Sequence, residues 1–144
     1  MAAEKFIANG WTADWPDGWE DRSMITLVGE TDGKGFASNI VVTRQKIEAG
    51  TSLADFAAIQ AEMMRGEIGT LQIIDERAIE INGLEAFQRL QRFAASETQI
   101  IQQVQTFFLA GENIFAVTGT AAVERFDRAI PAFKKFVETF RINQ

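Results

Sequence analysis

The sequence predicts an α+β fold: a mostly antiparallel six- to seven-stranded sheet with two flanking helices. Three observations predict it. Between residues 71 and 119, four β-rich runs separated by turn residues follow one another with no helical period between them, which is the pattern of a meander. Two other segments, 53–65 and 123–139, carry apolar residues at helical spacing. The chain has 144 residues, 47% of them hydrophobic and 24% charged, the size and balance of one globular domain spanning 1–144.

Each element has its own signal. Residues 6–15 read as two short extended pieces around Asn9-Gly10, a pair that favours a tight turn. In Trp15-Pro16-Asp17-Gly18-Trp19, Pro fixes φ, Asp bonds its own backbone and Gly accepts positive φ, so a turn is expected. Residues 23–28 read as a strand, 29–35 as a polar Gly-rich connection, and 36–44 as a second strand centred on Ile40, Val41 and Val42. Thr51-Ser52 caps a helix over 53–65 that stops near Gly66 and Gly69. Its apolar stripe is Leu53, Phe56, Ala57, Met63 and Met64, with Gln60 where an apolar residue belongs. The meander strands follow at 71–81, 84–93, 99–109 and 114–119, the first two joined by Asn82-Gly83. In the last segment Phe126, Ile130, Phe133, Val137 and Phe140 form one face, and Pro131 is expected at the first position of the main helix after a short initial turn. One sheet face should meet both helices, leaving the other solvated or covered by a partner.

Composition removes whole classes of chemistry. There is no Cys and no His, so thiolate catalysis, disulfides and any His-based triad are excluded. A carboxylate-only site stays open, because the chain has 20 Asp and Glu. A net charge of −6 without a basic stripe argues against nucleic acid as a partner. The N-terminus lacks a basic and an apolar region of secretory type, and no apolar run approaches membrane-spanning length, so a cytoplasmic location without membrane insertion is expected.

Several clusters admit a functional and a plainer reading. Asp17, Glu20 and Asp21 with Arg22 could hold a cation or form a salt-bridged clamp, but also read as a polar turn beside two Trp. Gly29, Gly33 and Gly35 lack the Gly-Lys-Ser/Thr of a phosphate loop and read as a hairpin connection. Asp75, Glu76 and Glu80 could suggest acid/base work, yet they alternate with Ile as on a solvated strand face. Met24, Ile25, Leu27 and Val28 are either core or the floor of an apolar groove. The amides are more informative. Gln88, Gln91, Gln99, Gln102, Gln103 and Gln105 fall on adjacent central strands, and Gln99, Ile101, Gln103, Gln105, Phe107 and Leu109 share one face. Asn39 and Thr43 share a face of their own strand. Such a mixture is either a half-exposed polar surface or a site that hydrogen-bonds a partner without burying a charge.

The opening Trp15-Pro16-Asp17-Gly18-Trp19-Glu20-Asp21-Arg22-Ser23-Met24 resembles the "L-P-D-G-W-x-D-x-S" start of the DcrB-like family, which includes the Eag chaperones of type VI secretion systems. The likeness continues through Ile40-Val41-Val42-Thr43-Arg44, Leu53-Ala54-Asp55-Phe56 with Gln60, the hairpin from Ile79 to Gly83 with Ala86, Gln102-Gln103, Phe126-Asp127 and Phe140-Arg141. The resemblance implies a Mog1/PsbP-like fold and a cytoplasmic, usually dimeric chaperone that shields the hydrophobic N-terminal helices of a secreted effector. It places partner-binding residues at Met24, Thr26, Asn39, Thr43, Gln60 and Gln103. It implies no enzyme, cofactor or metal. The alternative is a stand-alone small-ligand or regulatory binding module on the same fold, and a carboxylate-and-Arg enzyme is a third, remoter reading.

Overall fold

The fold was analysed in a computed structural model that describes residues 5–8, 10–29 and 35–143. Strands β1 (Lys5–Ala8) and β2 (Trp11–Asp14) form a small hairpin sheet of their own. The main sheet has six strands: β3 (Met24–Val28), β4 (Asn39–Lys46), β5 (Gln72–Ile81), β6 (Leu84–Ala94), β7 (Ile100–Ala110) and β8 (Asn113–Ala122). Their spatial order is β3-β4-β8-β7-β6-β5, and every pairing is antiparallel. Helix α1 (Leu53–Glu67) links β4 to β5 across the sheet. Helix α2 (Phe126–Thr139) closes the described chain after a single 3₁₀ turn, Val123–Arg125. The expected meander and the α+β architecture are both present.

Local chemistry explains the boundaries. Ser52 accepts a hydrogen bond from the Asp55 N–H at 3.0 Å and so caps α1. The helix runs past Gly66 and ends where the Ile68 N–H reaches the Met64 carbonyl at 2.6 Å. Asn82 and Gly83 both take positive φ, 54° and 79°, the geometry a two-residue hairpin requires. The Asn82 side chain then donates to the Glu138 carbonyl at 2.9 Å, tying this hairpin to the end of α2. Of the Gly-rich connection, residues 30–34, Gly33 among them, lie outside the described residues.

The two helices lie on opposite faces of the sheet, against the expectation that one face meets both. Neighbouring residues of a strand point to opposite faces. On β7, Phe107 packs with Leu53, Phe56 and Ala57 of α1, whereas Phe108 packs with Val137 of α2. Both rings are fully buried, 1% and 0% exposed, so neither face of this strand is open. The second helix also clusters through Phe126 and Phe133 with Ala121. Gly119 of β8 permits that approach: a Cβ there would lie 2.5 Å from the Phe133 ring.

Three smaller expectations are corrected. Pro131 sits inside α2 rather than at its start, because the helix already begins at Phe126 and gives up one backbone bond at the proline. Met63 is exposed: the buried stripe of α1 keeps the predicted Leu53, Phe56 and Ala57 and continues through Ala61. The strand expected over 36–44 is shifted to Asn39–Lys46.

Candidate functional site: a cavity floored by amides

The strand register lays out the face that α1 covers as three parallel rows. The first runs Met24, Thr43, Ala116, Phe107, Phe87 and Ala78. The second runs Thr26, Val41, Thr118, Gln105, Arg89 and Glu76. The third runs Val28, Asn39, Thr120, Gln103 and Gln91. Helix α1 covers only part of these rows, held by its packing on Phe107 of β7 and Ile114 of β8. Beneath it Arg89 is fully buried, and its Nη2 donates to the Ala57 carbonyl while Nε and Nη2 reach Glu76 Oε2 at 3.2 Å. A carboxylate and a helix carbonyl share the charge of this buried guanidinium, while its Nη1 has no hydrogen-bond partner.

Where α1 stops covering the sheet, the face opens into a cavity of about 890 Å³. Its floor is Thr43, Gln45, Gln105, Phe107, Ala116 and Thr118, and Phe56 and Gln60 of α1 form one wall. Phe6 and Trp15, whose rings lie 5.3 Å apart, approach from the β1–β2 hairpin, and Trp15 is fixed by its indole N–H donating to the Trp19 carbonyl at 3.1 Å. The rim is charged, with Lys5, Glu20, Asp21 and Arg22. Asp21 accepts from both the hydroxyl and the backbone N–H of Ser23, and these bonds, helped by Arg44, hold its carboxyl below the usual aspartate value. Glu20 pairs with Arg22 at 2.9 Å. Among the described residues no three acidic side chains converge as a metal site. Asp75 likewise pairs with Arg77 at 2.7 Å on an exposed strand.

Two glutamines on this floor behave differently. Gln103 Nε2 donates to Thr120 Oγ1 at 3.1 Å, and Gln103 Oε1 accepts from Gln91 Nε2 at 2.6 Å, so its amide is engaged at both ends. Gln105 is only 8% exposed, yet its Oε1 has no hydrogen-bond partner. A buried acceptor left unpaired costs about 1–3 kcal/mol. Gln105 lines the cavity and Gln103 does not.

The six residues singled out in the sequence share one face of the molecule, but not one contact surface. Thr43 and Gln60 line the cavity. Met24 and Thr26 carry the same face outward to the exposed edge strand β3. Asn39 donates to the Ala37 carbonyl at 3.3 Å and borders a second cavity, of about 420 Å³, between β3, β4 and α2. Gln103 is used internally. Sequence reasoning placed Gln105 on the right face without singling it out. Only the register shows that its cross-strand neighbour is Arg89, whose guanidinium points to α1 and Glu76 instead.

Fold and site together define a class: an antiparallel sheet with a helix on each face and a cleft of mixed polarity beside the first helix. Solved structures share this architecture. Protein of unknown function PA94 from Pseudomonas aeruginosa superposes with a TM-score of 0.83 at 18% identity, covering 100% of this chain and 99% of that one. Cyanobacterial PsbP from Synechocystis sp. PCC 6803 gives 0.60 at 14% identity over 99% and 94% of the two chains. The Ran-binding protein Mog1p of Saccharomyces cerevisiae gives 0.51 at 10% identity over 92% and 85%. The fold is therefore Mog1/PsbP-like. No curated protein sequence matches the chain. The DcrB family model matches residues 12–139, and the chain belongs to the DcrB family.

Proposed function

We propose that this protein is a non-enzymatic chaperone or adaptor that shields an apolar helical segment of a secreted partner in the cavity beside α1. The observation that carries the reading is the cavity itself. Amides and hydroxyls of Thr43, Gln60, Gln105 and Thr118 converge there with Phe56 and Phe107 on one sheet face. A helix about 10 Å across fills roughly 400 Å³ per turn, so a space of about 890 Å³ matches about two turns. Apolar walls gain about 25 cal/mol per Å² of guest surface removed from water. The amides give register without the penalty of a buried charge. The resemblance to the Eag chaperones gives the guest its class: an N-terminal, membrane-destined helix of a type VI effector, held in the cytoplasm before delivery.

The active form in this reading is a homodimer. Strand β3 supports it. Among the described residues it is an edge strand, with Met24, Ile25, Leu27 and Val28 all exposed and no strand paired along its outer backbone edge. The opposite edge, β5, is instead punctuated by Asp75, Glu76, Arg77 and Glu80.

The test is titration of the full chain with a synthetic 20-residue Leu/Ala helix flanked by Lys. Saturable binding that Gln60→Leu combined with Thr43→Val weakens at least tenfold supports the reading. Binding unchanged by those substitutions, or none, overturns it. A solution mass of one chain, 16.0 kDa, at micromolar concentration would remove the dimer. A strict monomer that ignores the helix but binds a small molecule would favour the small-ligand module instead.

A further inference from the structure

The smaller cavity, of about 420 Å³ between β3, β4 and α2, shares no lining residue with the larger one, and its two ends differ in chemistry. We infer that it binds a free fatty acid, with the carboxylate on Arg128 and the acyl chain along Leu27, Ile40 and Phe133. This is a second site, independent of the proposed helix-binding role.

Leu27 and Ile40 are cross-strand partners on the sheet face that α2 covers, and Ile40 packs against the Phe126–Phe133 cluster. Toward β3 the helix presents only the small side chains of Ala129 and Ala132, so a gap is left and Leu27 stays 48% exposed. Ile25, also exposed, continues the same face of β3 beyond Leu27. From Val28 back to Ile25 is about 10 Å of strand, the reach of a medium-length acyl chain. The charge sits at one end only, where Arg125 and Arg128 at the start of α2 stand beside Ser38 and Asn39 at the start of β4. Among the described residues that line the cavity there is no carboxylate, in a chain with 20 Asp and Glu against 14 Lys and Arg. Arg125 has a partner of its own, whereas Arg128 has no ion pair among the described residues. One guanidinium can give a carboxylate two parallel hydrogen bonds. The apolar chain gains from each part of its surface that Leu27, Ile40 and Phe133 remove from water. A neutral or cationic amphiphile would bury the same chain but give the arginine no counter-charge.

The experiment is calorimetric titration of the full chain with sodium decanoate below its micelle range, beside decanol and decyltrimethylammonium. Decanoate is expected to bind once per chain and about fivefold tighter than decanol, with the ammonium weakest. Arg128→Gln should abolish the advantage of decanoate over decanol and leave decanol binding as it was. Ala132→Phe, at an exposed helix position, should fill the gap and abolish binding of all three while the protein melts as the wild type does. Leu27→Gln, which leaves the helix untouched, should weaken decanoate about fivefold and keeps the test valid if the Phe variant melts early. Gln60→Leu, in the other cavity, should change none of these affinities. Absence of decanoate binding, equal affinity for decanoate and decanol, or binding lost in Gln60→Leu and kept in Ala132→Phe each overturns the inference. If decanoate does not bind and Leu27→Gln instead lowers the solution mass from two chains to one, a second copy covers this groove and the fatty-acid site is refuted.

Discussion

Gln103 and Gln105 are the same residue type, two positions apart on one strand and on one face of the sheet, yet their surroundings differ. The rung through Gln103 is bonded along its length: Gln91, Gln103 and Thr120 bond in series across β6, β7 and β8, with Gln91 Oε1 left over. The rung through Gln105 is open: Arg89 turns toward α1, and the Gln105 carbonyl is left without a partner at the edge of the cavity. A bonded rung stabilises the native sheet through the polar pairs it makes internally. An open rung destabilises the isolated protein and leaves a bond to be made with something else. The comparison separates an amide bonded at both ends within the sheet from one whose carbonyl is not, a distinction that residue type alone does not make.

The comparison can be broken at its support. Gly119 lies on β8 between Thr118 and Thr120, and Phe133 of α2 packs on its far side with no room for a Cβ. Gly119→Val should disturb both rungs together and lower stability by about 3 kcal/mol, a drop of about 10 °C in melting temperature for a domain of this size. A melt within a degree or two of wild type would show that α2 can move away freely.

A smaller effect is expected from closing off one rung only. Gln103→Leu removes the acceptor of the Gln91 Nε2 bond and the donor to Thr120, leaving polar groups of two buried residues without these partners. It should cost about 2 kcal/mol in urea-unfolding free energy while leaving the cavity lining, and so helix-peptide affinity, within about threefold of wild type. A loss of affinity without loss of stability would reverse the roles assigned to the two amides.

The smallest effect lies at the rim. Asp21 is held below the usual aspartate pKa, chiefly by the Ser23 hydroxyl and then by the Ser23 N–H and Arg44. A depressed folded value means that this group contributes stability above the unfolded pKa and that the contribution is lost as pH falls through the folded one. Ser23→Ala should therefore raise the Asp21 pKa toward 3.8, its unperturbed value, visible in a carboxyl NMR titration. An unmoved titration would show that the Ser23 hydroxyl does not hold the carboxylate.

Much of the fold was legible because its signals are local. Asn82-Gly83 marked the central hairpin, Ser52 the start of α1, and the run of strands from Gln72 to Ala122 a meander. The placement of the helices was missed although the signal was present. Phe107 and Phe108 are adjacent on a strand, and two large apolar neighbours there require cover on both faces. The site was legible as a face but not as a set of contacts. Periodicity puts Gln103 and Gln105 on one side of β7; it cannot say which of them faces Gln91 and which faces Arg89. That depends on the β6–β7 register, set by the turn over residues 95–99 that joins the two strands. Asn39 and Thr43 share a face for the same local reason, and only Thr43 reaches the cavity.

The most direct test of the open-rung claim is the urea-unfolding free energy of Gln105→Leu measured beside the wild type without any guest. Replacing an unpaired buried amide by an apolar side chain should leave stability unchanged or raise it by up to about 1 kcal/mol. A loss of about 2 kcal/mol, the size expected for Gln103→Leu, would mean that Gln105 is already bonded within the protein and that nothing on the cavity floor is held for a partner.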